Sequence, residues 1–477
     1  MMPQRRRSRR HVAAAGVVLA YLLAAGVAAA RGETWLALHL AMLGAATNAI
    51  VVWSEHFTAA LLHAPAAGER AALARLAALN LAVVAVLGGV RAGHPALAAA
   101  GAGLLAAVVG VHAAGLTGRL RRGLGGPLGG TVWFYAAAGA ALLAGAGLGV
   151  LLAGGAAGSP DATRAVRLAH AHLNLLGWVG LTVLGTQFTL WPAVLRTRMA
   201  PGLAAAVRWS FRLCVAGLAL LAAGLLTRQR LVATMGLAGY TAGAGVALDP
   251  FARTLARRPP RSAAAWLLAA GMAWFALALL ADLVALAGSR RVVDLDGRLG
   301  WLLPVVAVGF GLQVLTGALT YLLPTVWGRG AFGNRRLTRV LEAGWRLRVA
   351  ALNLGVALPG RPPAAGRAAA GRPGARRLRA AGRGGAGLAG GRGHPPRRSG
   401  RLRRPHQLAA RRSTEPSAGR SRKRPSPTRV SAQASSATAR NPFGTQSRNG
   451  SRSPAAMRNV ATPYIPRGKT SDQYCGS

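Results

Sequence analysis

The residues Val12–Ala30 pass without a single charged side chain. Leu81–Val90, Ala136–Leu152, Leu213–Leu226 and Ala263–Leu280 are similar blocks. A run of about 20 apolar residues matches the hydrocarbon thickness of a bilayer. Nothing else in the sequence restricts the fold so strongly. Inside a bilayer each backbone polar group must be satisfied internally, so such runs become helices. The composition agrees: of 477 residues, 52% are hydrophobic and 15% charged, with a mean hydropathy of +0.32. A soluble domain of this length is less apolar. The expectation is an all-α polytopic membrane protein, with about 10–12 transmembrane helices.

Ten spans are expected, near residues 12–30, 35–60, 72–90, 96–116, 131–154, 169–194, 206–226, 231–248, 263–286 and 299–325. An eleventh begins near Gly344 and fades after Leu358. The first run, behind "RRRSRR", is too long for a cleaved signal peptide and is followed at once by another span. It reads as a signal anchor.

The net charge of +48 divides into two parts. Roughly half lies beyond residue 358, where no apolar block occurs. The remainder sits mostly in short loops, where it speaks of membrane orientation rather than of nucleic acid. With the N-terminus cytoplasmic, the inner loops include "GRLRR" (118–122), "RTR" (196–198), "ARTLARRPPR" (252–261) and "NRRLTR" (334–339). These are rich in arginine and almost free of acids. The outer loops mix arginine with Asp161, Asp294 and Asp296. The pattern predicts a multi-pass protein of the cell membrane with its N-terminus inside.

An internal repeat organises the spans. The second span carries "HLAMLGAATNAIVVWSEHF" from His39, and the sixth "HLNLLGWVGLTVLGTQF" from His172. Both open H-L-x-x-L-G, 133 residues apart. The tenth span, "VGFGLQVLTGALTYLLPTV", matches the sixth at a shift of 132, pairing Gly177 with Gly309, Gly185 with Gly317 and Pro192 with Pro324. The position matching His172 is Pro304. One span type therefore recurs every fourth helix, which predicts units of four helices arranged in a ring.

The histidines are the candidate chemistry. His39 and His172 are equivalent positions on equivalent helices. If they meet across one ligand, they supply the two axial imidazoles of a six-coordinate haem b. His170 and His172, two residues apart, point about 200° apart on a helix and cannot grip one ion from the same side. Either they serve different clients, or one simply sits at a wet helix end. His56 lies about 25 Å along the helix from His39. His56, His63 and His112 mark the inner interface, with a quinol or proton-entry role as the functional alternative. His94, in "RAGHP", reads as a solvated loop residue. Asp282 is an intramembrane acid, a functional candidate by default, with Arg290 or Arg291 as the expected partner. Gln187, Gln313 and Tyr321 either line a path or bond across helices. Trp53, Trp178, Trp191, Trp301 and Trp327 suit span ends and interfaces. Cys214 and Cys475 form no metal or redox spacing.

The stretch "HAHLNLLGWVGLTVLGTQFTLWP" (170–192) resembles the haem-copper oxidase subunit I superfamily, nearest to b-type cytochrome c oxidases and nitric oxide reductases. The segment H-L-x-L-L-G-W-V is also similar to actinobacterial membrane proteins, some joined to copper-protein domains. The resemblance covers roughly residues 10–358. It implies twelve spans in three arcs of four, with the second-span histidine at His39 and the H-x-H pair at His170 and His172. It further implies that His39 and His172 hold a low-spin haem b iron and that His170 serves a second site. Two departures stand against a binuclear centre: the seventh span has no histidine, and Pro304 stands where a ligand would fall. Terminal oxidase activity is therefore not expected. The reading is a b-type haem electron-transfer protein, an oxidoreductase component with a quinol or redox-protein partner or an extracytoplasmic copper protein. The alternative is a non-haem membrane anchor or copper-handling module. No specific nucleic-acid partner is expected.

From about residue 359 the sequence becomes Arg, Ala, Gly and Pro without periodicity, then Ser/Thr-rich. It cannot build a core and is expected to be a disordered tail. A membrane helix cut off after about 14 residues is too short to span. The tail is thus read as a frameshift product of a longer twelve-span protein. A genuine basic tail that binds anionic lipid or nucleic acid is the alternative.

Overall fold

A computed structural model describes residues 4–358, except 66, 124–125, 127 and 328–329. The chain divides into two units, 1–376 and 377–477, and every described residue lies in the first. The expected tail, with its frameshift alternative, lies outside the described residues.

The described residues are helical, with no β-strand among them. Ten helices are long and apolar enough to cross a membrane. They are numbered here as spans 1–10: Arg9–Ala30, Thr34–Leu61, Glu69–Arg91, Pro95–Arg122, Gly129–Ala153, Pro160–Leu195, Leu203–Leu226, Arg230–Arg257, Ala263–Ala287 and Gly300–Trp327. All ten expected spans are present. Several helices overrun the apolar runs that predicted them. Span 6 begins nine residues before the expected 169 because "SPDATRAVR" is a polar helix start. Ser159 accepts a hydrogen bond from the Ala162 amide, and Pro160 occupies the first turn. Reversals between spans are tight. Gly32 (φ +76°) and Gly93 (φ +68°) take up the left-handed backbone that ends spans 1 and 3.

The bundle faces lipid with large side chains. Leu23, Leu81, Val111, Leu231 and Val284 are all more than 60% exposed. Such a surface suits contact with hydrocarbon. Span 6 is the innermost: 72% of its apolar window is buried, against 22% for span 1. Spans 7 and 8 make the closest backbone contact. A Cβ placed on Gly224 would lie 2.3 Å from the Ala233 nitrogen, and one on Gly236 would lie 2.2 Å from the Leu221 nitrogen. Small residues are what allow helices in lipid to approach this far.

The expected repeat is visible in the backbone itself. Three segments wind into π-helix: Leu40–Ala46, Leu173–Leu181 and Val305–Leu312. They start immediately after His39, His172 and Pro304, the three positions matched by sequence. Isolated π segments are rare and gather at functional sites. The three spans pack on one another, and Trp178 Nε1 donates to Thr47 Oγ1 at 3.0 Å between two of them. Where they converge they line a cavity whose eighteen lining residues fall into six sets of three. Each set repeats the 133 and 132 shifts, as in Trp53, Thr186 and Ala318, or Ser54, Gln187 and Leu319. The unit of four helices is thus a rotational repeat about a shared axis.

Two shorter helices follow. Gly330–Glu342 alternates apolar and basic faces, and Trp345–Ala357 is a 13-residue helix where an eleventh span is expected to begin. The latter docks on spans 9 and 10. Asn353 Oδ1 accepts from Trp274 Nε1 at 2.7 Å and from Gln313 Nε2 at 3.3 Å.

Candidate functional site

The heads of spans 2 and 6 bring His39 beside His170. Their ring centroids are 6.3 Å apart and their planes differ by 23°. Both rings are half-buried. The Nδ1 of His39 bonds the Trp35 carbonyl at 2.8 Å, and the Nδ1 of His170 bonds the Gly145 carbonyl at 2.8 Å. A neutral imidazole that donates from Nδ1 keeps a lone pair on Nε2. That is the orientation in which a metal-binding histidine is held by its surroundings. Trp35 stacks on His39 at 4.3 Å. Gly149 lies under His170, where a Cβ would come within 3.1 Å of Cε1.

His172 points elsewhere. Its Nδ1 bonds the Leu168 carbonyl at 2.7 Å, and its Nε2 lies 3.0 Å from Asp282 Oδ2 of span 9. Both side chains of this pair are 5% exposed. Both ring nitrogens of His172 are therefore occupied. The expected meeting of His39 with His172 is not the one found; His170 takes that place. His172 is turned instead toward span 9, where Asp282 takes its Nε2. The expected partner of Asp282 is corrected too. Arg291 pairs with Asp161 and Asp294, leaving Asp282 to His172.

At the opposite end of span 2, Glu55 is buried and holds three guanidinium groups. Arg10 lies at 3.4 Å and Arg119 at 3.3 Å, and Arg75 is the third partner. The Ala67 amide donates to the same carboxylate at 2.8 Å. Sequence reading missed this cluster. Its signal was present, since Glu55 is an acid inside a span whose neighbours end in arginine. His56 does not join the cluster but packs on His11 and Trp53. His112 is buried and lies 2.9 Å from Ser54 Oγ. His94 is exposed at the head of span 4.

The remaining polar candidates divide cleanly. Gln313 and Tyr321 bond across helices, Tyr321 to the Ala193 carbonyl at 3.3 Å. Gln187 lines the axial cavity instead. Trp53, Trp178 and Trp191 are buried among helices rather than placed at an interface, whereas Trp301 and Trp327 are exposed. Cys214 is buried within 3.7 Å of the Tyr240 carbonyl, an ordinary packing position.

Two imidazoles that grip one metal through nitrogens at about 2 Å place their ring centres about 6 Å apart. The His39–His170 centroid spacing is of that size. Among the described residues no group of three or more His, Cys, Asp or Glu side chains converges as a ligand set. A two-imidazole site suits a metal that brings its other ligands with it, as a porphyrin iron does. His39 and His170 are the residues here that would supply such a metal with its two imidazoles. No protein family, curated protein or solved structure matches this chain.

Proposed function

We propose that this protein is an integral membrane b-type haem protein that carries electrons, with the architecture of haem-copper oxidase subunit I and without its binuclear centre. The observation that carries the reading is the His39–His170 pair, with ring centroids 6.3 Å apart and planes 23° from parallel, each ring fixed through Nδ1 by a carbonyl. Bound between them, haem iron would cycle between its ferrous and ferric states and so hold one electron. The chain's own part would be to hold the two imidazoles through their Nδ1 atoms, so that each Nε2 keeps its lone pair for a metal. His172 is not assigned to the iron here, because Asp282 occupies its second nitrogen.

The arginine distribution supports an N-terminus in the cytoplasm. On the opposite side arginines are neutralised: Arg91 by Glu33, Arg164 by Asp161 and Arg167 by Asp296. The histidine pair then lies near the extracytoplasmic surface. There it suits exchange with a quinol or with an extracytoplasmic redox protein such as a copper protein. In this reading the protein is the electron-carrying component of an oxidoreductase, and the missing histidines of span 7 argue against oxygen or nitric oxide reduction.

The same two-imidazole geometry also suits a linear two-coordinate copper ion, the copper-handling reading. The two separate by analysis of the purified protein. A pyridine haemochrome assay that finds about one haem b per chain supports the first. Stoichiometric copper with no haem replaces it by the second.

A further inference from the structure

The axial cavity between spans 2, 6 and 10 has a buried polar group with nothing to bond. Gln187 is 1% exposed, lines the cavity, and neither its Oε1 nor its Nε2 meets a partner among the described residues. Thr182 Oγ1, on the same wall and 6% exposed, is also without a partner. Leaving such groups unsatisfied costs about 1–3 kcal/mol each, so a native fold supplies them with something. The cavity volume of about 80 Å³ limits what that is. It is about half of the roughly 150 Å³ that accommodates a benzene ring, and it holds about three to six water molecules. The cavity is also long. Its lining runs from Ala46 to Phe57 on span 2, about 16 Å at 1.5 Å per residue. No charged side chain lines it, so an ion has no counter-charge there. A short file of water fits both the volume and the donors.

The cavity also has a polar exit. Ser54 lies on its wall and is 2.9 Å from His112 Nε2 on span 4. Arg119 stands two turns further along that helix, on the same face, and bonds Glu55 at 3.3 Å. The Glu55 cluster is at the N-terminal side of the bundle. Polar groups thus follow one another from that side toward the cavity, Glu55 with Arg119 first and then His112 with Ser54, about 10 Å apart along span 4.

We infer that the axial cavity binds a file of water, anchored on Gln187 and Thr182, and that it admits protons from the N-terminal side through Ser54 and His112. The imidazole takes a proton on one nitrogen and releases one from the other, so transfer along the line consumes nothing else. The file ends about two helical turns short of the histidine pair. This inference does not rest on the haem reading, and it holds for either metal.

Hydroxyl-radical labelling in ¹⁸O-water, read by mass spectrometry on the full chain in detergent, tests it. Leu190 lines the cavity and Leu184 does not, yet they share span 6 and are 2% and 0% exposed. The expected result is several-fold faster labelling of Leu190. Gln187→Leu should reduce that labelling at least threefold, and Gln187→Asn should reduce it less. Equal labelling of Leu190 and Leu184 in the unaltered protein overturns the inference, and needs no variant to fold. Unchanged labelling of Leu190 in Gln187→Leu overturns the anchoring role.

Discussion

His172 Nε2 and Asp282 Oδ2 lie 3.0 Å apart between spans 6 and 9, and both side chains are 95% buried. The pair closes the innermost helix of the bundle onto the ninth. Asp282→Leu should leave His172 Nε2 without a partner and destabilise the fold by about 1–3 kcal/mol. Asp282→Asn keeps a hydrogen bond and should cost less. Thermal unfolding in detergent, followed by the loss of monodisperse protein on gel filtration, measures the order. A fully stable Asp282→Leu would remove the pair's structural role.

The Glu55 cluster makes a second prediction. Removing one partner of a buried ion pair costs about 3–5 kcal/mol where both charges are enclosed. Here Arg75 and Arg119 keep 18% and 21% exposure, so water takes up part of the loss. Glu55→Gln should therefore cost less, about 1–3 kcal/mol. It should also loosen the N-terminal helix, which Arg10 ties to span 2. Limited proteolysis near the N-terminus would report that loosening as faster cleavage.

Packing of spans 7 and 8 is tested by two glycines on one helix. Gly236→Ala puts a Cβ 2.2 Å from the Leu221 nitrogen, a backbone atom that cannot step aside. It should destabilise by about 1–3 kcal/mol or more. Gly245→Ala meets nothing within 4 Å and should be neutral or stabilising by up to about 1 kcal/mol. Equal melting temperatures for the two variants would refute the close contact.

The spans were legible in the sequence because an apolar run of bilayer length has few other solutions. The repeat was legible too, since His39, His172 and Pro304 each precede a π segment. What was not legible is which histidine faces which. Sequence equivalence suggested His39 with His172, but which side of each helix faces the axis and which faces a neighbouring span is set by packing, and only the packed helices reveal that His170 is the neighbour of His39 while His172 faces span 9. Asp282 was visible as an acid in a membrane helix. Its partner was assigned to a nearby arginine because distance along the chain is all a sequence offers, whereas His172 is 110 residues away. Glu55 could have been found by asking which spans end in arginine on its side.

Orientation has a direct check. In a Cys475→Ser background, Gln229→Cys lies in the exposed connection between spans 7 and 8, and Arg198→Cys in that between spans 6 and 7. Cys214 is buried and should stay silent. A membrane-impermeant maleimide applied to intact cells should label Gln229→Cys and spare Arg198→Cys. The reverse pattern would invert the proposed topology.

The central claim is that His39 and His170 hold one haem, and the reduced-minus-oxidised spectrum of the purified protein measures it. The account predicts a b-type spectrum that is lost in His39→Ala and in His170→Ala and kept in His172→Ala, provided that variant remains folded. A spectrum that survives His170→Ala and disappears with His172→Ala would contradict the assignment, and a colourless, fully folded protein would contradict the haem itself.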